Sequence, residues 1–193
     1  WLSWQRNGFP QFMLVDLVKD GLLALGDLEG AFSFSRLACL LRPLAIGEGR
    51  ERYLVALDRE LTDLDEQLIG HGSKPGDDDP EISARRLENL REKRRALEGL
   101  RHAVASLLEL TPEEAKGVAL LHAAVVFLRR FARRASSFDE YSAKRLSESI
   151  EELLVSLRGE EVPEGLDVLE WLEEQARGLR VMGMGPRPGC LFV

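Results

Sequence analysis

The sequence predicts an all-α protein: a bundle of six or seven helices with a long antiparallel helical hairpin at about 50–110 and an irregular C-terminal tail. Three observations carry that prediction. Leu54, Leu57, Leu61, Leu64 and Leu68 recur in alternating steps of three and four, with Asp58, Arg59, Glu60, Asp63, Asp65 and Glu66 on the other faces; this is the apolar seam of a coiled-coil-like pair. Asp79-Pro80-Glu81, Thr111-Pro112-Glu113-Glu114 and the Ser137/Glu140 spacing each read as a helix start, combining a capping side chain with proline or acidic charge in the first turn. Finally, "GVALLHAAVVFL", Gly117 to Leu128, is apolar all round except for His122, as expected of an enclosed central helix.

Taken in order, residues 1–46 form apolar N-terminal helices. Leu14, Val18, Leu22 and Leu25 share helical spacing after Pro10, Gly26 and Gly30 interrupt, and a second short helix stops near Arg42 because Pro43 disfavours α geometry in the residue before it. The hairpin follows: the leucine seam, a loop "GHGSKPGDDDP", and a helix running to about Leu110 with Leu87, Leu90, Leu97, Leu100, Val104 and Leu107 inward. Residues 112–158 supply the central helices, one of them through Leu146, Ile150, Leu153 and Leu157 to an end at Gly159. A last helix at 166–178 buries Leu169 and Leu172, with Val168 or Trp171 on a flank. The stretch 1–178 reads as a single helical domain. The tail, 179–193, has two short apolar pieces around a Gly/Pro turn and suits either a small hairpin or a groove of another copy.

Composition narrows the class. Hydrophobic residues at 45% and charged residues at 31% describe a globular chain able to bury a core. Cys39 and Cys190 stand far apart in no metal-ligand spacing, which argues against a disulfide framework and for a reduced, cytoplasmic or intracellular setting. No apolar run is long enough to span a membrane, and the first residues lack the pattern of a signal peptide. Arginine outnumbers lysine 21 to 5, a bias that suits a GC-rich or thermophilic source. The formal charge of −7 is unevenly spread: −7 over residues 1–84, +6 over 85–145 and −6 over 146–193.

The residues that usually carry catalysis do not gather. His71, His102 and His122 have no metal-binding spacing, and His122 is expected as a hydrogen-bonded core residue. Asp77, Asp78 and Asp79 lack the alternating ligands and glycine of a calcium loop. "GMGPRPG" lacks the Gly-Lys-Ser/Thr end of a phosphate-binding loop, and the final Cys190-Leu191-Phe192-Val193 matches a prenylation pattern with no polybasic run before it. No catalytic residue, metal or cofactor is therefore expected, and a small-molecule substrate is not indicated.

One motif points to a binding surface. On a continuous helix of about 100° per residue, Arg129, Arg130, Arg133 and Arg134 of "FLRRFARR" form one stripe opposite Phe127, Leu128, Phe131, Ala132 and Ala135. With Arg94, Arg95, Lys144 and Arg145 they make a candidate basic contact face. Carboxylates from the two acidic ends of the chain are the expected partners of that stripe. A nucleic acid is the alternative, with aromatic interleaving confined to Phe131.

Residues 85–121, "RRLENLREKRRALEGLRHAVASLLELTPEEAKGVALL", resemble in helical texture the long helices of archaeal GINS replisome subunits. That resemblance rests on no motif and implies a β-rich second domain for which little room remains after Gly178, so no residue role is carried over. The expected function is that of a non-enzymatic structural or scaffold subunit working through protein–protein contacts or self-association. Phe12, Leu14, Val18, Leu191 and Phe192 are its candidate interface. The alternative is a nucleic-acid-associated subunit of a replication, defence or virion complex.

Overall fold

The computed structural model describes residues 1–72, 80–114, 116–157, 162–163 and 165–179. Among them are eight α-helices and no strand: α1 (Leu2–Arg6), α2 (Gln11–Lys19), α3 (Phe34–Leu41), α4 (Arg52–Gly72), α5 (Pro80–Leu110), α6 (Gly117–Arg130), α7 (Ser137–Leu157) and α8 (Val168–Gly178). A 3₁₀ turn, Gly26–Leu28, lies between α2 and α3. The chain is all-α as expected, and α1 is the helix beyond the expected seven. Of the expected loop 70–80, residues 70–72 end α4 and Pro80 opens α5; residues 73–79, the expected helix end at Gly159 and residues 180–193, including Leu191 and Phe192, lie outside the described residues.

The core has two clusters. The larger joins α1 to α5, with Leu14, Leu37, Leu41, Tyr53, Leu57, Leu97 and Leu100 fully enclosed. The smaller joins Leu120, Leu121 and Ala124 of α6 to Ile150 of α7 and to Val168, Leu169 and Leu172 of α8. Trp1 packs against both, its ring stacked on Phe127 at 4.7 Å. In the hairpin, Leu57 and Leu64 of α4 are buried with Leu97, Leu100, Val104 and Leu107 of α5, while Leu54, Leu61, Leu68, Leu87 and Leu90 are half-buried along the seam. Each fully enclosed leucine contributes about 1.5–3 kcal/mol of hydrophobic stabilisation.

Buried polar contacts tie the loops of the larger cluster. The Trp4 indole N–H donates to the Tyr53 hydroxyl at 3.0 Å, and that hydroxyl donates to the Phe9 carbonyl at 2.9 Å. Burial pushes the Tyr53 hydroxyl up to about 12. The Gln11 amide donates to the carbonyls of Leu41 and Leu44, each at 2.7 Å, and its oxygen accepts from Gly47 N–H at 3.2 Å. Arg50 donates to the carbonyls of Leu108 and Thr111, supplying both partners and positive charge to the C-terminus of α5.

Several boundaries differ from the sequence expectation, each for a local reason. Leu22 is exposed and non-helical because α2 stops at Lys19. Gly21 adopts φ +63°, its N–H bonds Val18 O, and Leu22 N–H bonds Leu17 O, the paired bonds of a Schellman stop. Thr111 ends α5 instead of opening the next helix: its hydroxyl donates to Leu107 O at 2.6 Å and accepts from the Trp1 indole at 2.9 Å. α6 then starts only at Gly117, after Lys116. The capping box of α7 is Ser136 with Asp139, displaced by one residue from Ser137/Glu140; Ser136 N–H donates to Asp139 at 2.9 Å and Asp139 N–H to the Ser136 hydroxyl at 3.2 Å.

The central helix also departs from its expected burial. Leu120, Leu121, Ala123, Ala124 and Val125 are buried, but Ala119 and His122 are exposed. The helix is thus covered on part of its circumference, and His122 is a surface side chain.

Candidate functional site

The arginine stripe requires a helix that continues through Arg134, and α6 ends at Arg130. Phe127 O accepts from both Phe131 N–H (2.8 Å) and Ala132 N–H (2.9 Å), closing the last turn. The chain then runs extended beside the segment after α2: Ala24 N–H bonds Phe131 O at 2.8 Å, and Arg133 N–H bonds Leu22 O at 3.0 Å. Backbone pairing with a segment about 110 residues earlier redirects the last two arginines.

Their side chains diverge accordingly. Arg129 pairs with Glu151 of α7. Arg130 lies over the Phe131 ring, 5.6 Å from its centroid. Arg133 lies 4.8 Å over the Phe34 ring with its Nε 3.4 Å from Glu29, and Arg134 donates to the Leu128 carbonyl at 3.3 Å near the end of α6. The other members of the proposed basic face are similarly distributed. Arg94 holds Asp65 at 2.6 Å across the hairpin and Glu98 at 3.1 Å along α5; Arg145 holds Glu148 at 2.9 Å, and Lys144 approaches the same carboxylate at 4.0 Å. The Asp65 carboxylate raises the Arg94 pKa, as Glu148 raises that of Arg145. Apart from Glu98, these carboxylates come from both acidic ends of the chain, and such exposed pairs contribute little stability each.

Three cations of the face hold no carboxylate among the described residues; Arg134 is held by the Leu128 carbonyl, which leaves Arg95 and Arg130. They meet at one place, a cleft of about 650 Å³ between the 3₁₀ turn, one face of α5 and the end of α6. Arg95, Gly99, His102 and Ser106 recur at helical spacing along that face of α5. Gly99 allows the close approach of the turn, since a Cβ there would overlap the Leu28 side chain. Asp27, Phe32 and Phe131 also line it. Sequence reasoning nominated Arg95 and Arg130 but missed Asp27, Phe32, His102 and Ser106, because the cleft is assembled from three separate segments with no shared motif.

A second concavity is apolar. A groove of about 420 Å³ runs where α1, α6, α7 and α8 meet, lined by Leu2, Leu128, Leu146, Ile150 and Leu172, with the stacked Trp1 and Phe127 rings at one wall. Leu2, Leu128 and Leu146 are only half-buried there. Of the expected interface, Phe12 is 64% exposed, whereas Leu14 and Val18 are each 1% exposed. Those two are core residues of α2, since a short amphipathic helix buries the stripe that carries its apolar spacing. Phe12 sits on the opposite, outward side.

Among the described residues no group of three or more His, Cys, Asp and Glu side chains is placed to hold a metal ion, and no helix is long and apolar enough to cross a membrane. Cys39 is an exposed free thiol. No protein-family model matches the chain, and neither a curated protein nor a solved structure matches it significantly.

Proposed function

We propose that the chain is a non-enzymatic structural subunit of an intracellular assembly, acting through protein–protein contacts in a homo-oligomer or with other chains. The supporting observation is the apolar groove at the junction of the two core clusters. Half-exposed leucines beside a rigid pair of stacked aromatic rings form the kind of surface that accepts the apolar face of a partner helix. Burying such a groove releases water from apolar area, so the association is driven by a term that salt does not screen.

Light scattering after size exclusion, at low and high salt, tests this reading. The expected result is a mass above that of the 21.7 kDa chain, persisting at high salt and lost in Leu146→Glu, a substitution at a half-buried position that leaves the helix content intact by circular dichroism. A wild-type protein that is monomeric at every salt concentration and also isolates without partners from its source cells would overturn it.

A second reading, a nucleic-acid-associated subunit, draws support from the unpaired guanidinium groups of Arg95 and Arg130. Replacing Arg129, Arg130, Arg133 and Arg134 with Ala would then weaken binding to DNA or RNA and flatten its salt dependence. Unchanged binding removes this reading.

A further inference from the structure

The cleft between the 3₁₀ turn, α5 and the end of α6 has a chemistry that the scaffold reading does not use. We propose that it binds a small phosphate ester of nucleotide size, with Arg95 and Arg130 holding the phosphate.

Shape is the first argument. A concavity of about 650 Å³ lies in the size range of sites for small organic ligands. Charge is the second. Arg94, Arg101, Arg129, Arg133 and Arg145 each have a carboxylate in reach, yet Arg95 and Arg130 line the cleft with no ion pair among the described residues. A guanidinium presents planar, paired N–H donors that match phosphate oxygens, and two of them on different helices can hold a phosphate from two sides. Arg130 is moreover oriented by the nearly buried Phe131 ring beneath it, which leaves its donors available.

The remaining lining selects among phosphates. His102 and Ser106 add polar groups along the same face of α5 as Arg95, and Phe32 supplies an aromatic wall for a planar or apolar body. Asp27 and Glu98 balance the two arginines in formal charge, and Glu98 is already held by Arg94. A cleft without net positive charge does not draw in a polyanion by its long-range field. It favours instead a ligand that offers both a phosphate and an N–H donor, the latter to the Asp27 carboxylate. Nucleoside monophosphates with an exocyclic amine combine these groups; inorganic phosphate lacks the second.

Isothermal titration calorimetry on the full chain, with adenosine monophosphate, inorganic phosphate and a short single-stranded oligonucleotide, tests the proposal. The expected result is saturable binding of adenosine monophosphate, weaker binding of inorganic phosphate, and a loss of about tenfold or more in each of Arg95→Ala and Arg130→Ala. Arg129→Ala, which breaks the pair with Glu151 outside the cleft, leaves the affinity unchanged. All three arginines are surface side chains, so circular dichroism should report intact folding. No saturable heat with the nucleotide overturns the proposal, as does an equal loss in Arg129→Ala. Binding of the oligonucleotide without binding of the mononucleotide overturns it in favour of a nucleic-acid surface. None of these outcomes depends on the oligomeric state, so the proposal and the scaffold reading stand or fall separately.

Discussion

The α4–α5 hairpin and the junction between α6 and α7 both set arginines against carboxylates, with different results. In the hairpin, Lys93–Glu60 at 2.7 Å, Arg94–Asp65 at 2.6 Å and Arg101–Asp58 at 2.6 Å flank one apolar seam, every pair joining the two arms. At the junction, four arginines within six residues go to four different places, on α7, on the 3₁₀ turn and α3, on a helix-end carbonyl and in a cleft. The hairpin uses its cations to flank a seam that burial already holds. The junction disperses them because its helix ends, and one guanidinium is left facing a cavity. A charged run therefore forms a coherent face only while its helix persists.

The largest expected effect separates the two regions by burial. Leu100→Ala removes a fully enclosed seam residue and should destabilise the protein by about 2–5 kcal/mol, from lost transfer energy plus a residual cavity. Leu128→Ala, on the half-open wall of the junction groove, should cost well under that, because solvent can fill the space. Urea denaturation of both variants checks the ordering. Equal losses would mean that the groove is closed in solution by something that packs on it.

A smaller effect lies at the base of the hairpin, where Tyr53 sits in the first turn of α4. Tyr53→Phe leaves the buried Trp4 indole and Phe9 carbonyl without their shared partner, at a cost of about 1–3 kcal/mol. The raised hydroxyl also makes a pH prediction. Its folded value is about 12 against about 10 in the unfolded chain, so its stabilisation is complete below pH 10 and is lost as pH rises through 12. Urea midpoints between pH 9 and 12 should fall for the wild type across that window, and Tyr53→Phe should lack this component of the decline.

The same contrast explains how much was legible in the sequence. The hairpin could be read because the leucine spacing is local to each arm and neither arm is interrupted. The stops at Lys19 and Arg130 were not read, since Leu22 and Leu25 keep helical spacing beyond the first, as do Phe131 and Ala135 beyond the second. The stop at Lys19 is made by Gly21, five residues before the Gly26 that the spacing suggested, because its positive φ closes the helix there. For α6 there was no local signal: the turn is fixed by hydrogen bonds from Ala24 N–H to Phe131 O and from Arg133 N–H to Leu22 O, between segments distant in sequence. The cleft was illegible for the same reason, because it exists only once those segments pair. His122 was misplaced because apolar neighbours on both sides in sequence do not imply cover on every side in space.

The smallest expected effect tests whether the hairpin's flanking charges act as charges. The Arg101 hydrogen bond holds the Asp58 carboxyl below the usual range, so the stabilisation from this pair is present above the unfolded value near pH 4 and is lost as pH falls through the lower folded value. Asp58→Asn should lower the thermal midpoint slightly at pH 7, and the difference from wild type should vanish in acid, once the wild-type carboxyl is protonated too. Since both side chains are largely solvated, added salt should shrink the neutral-pH difference as well. A difference that persists in acid and in high salt would assign Asp58 a packing or capping role. The hairpin's charges would then act through geometry, as those at the α6 end do, and the contrast between the two regions would reduce to the continuity of their apolar seams.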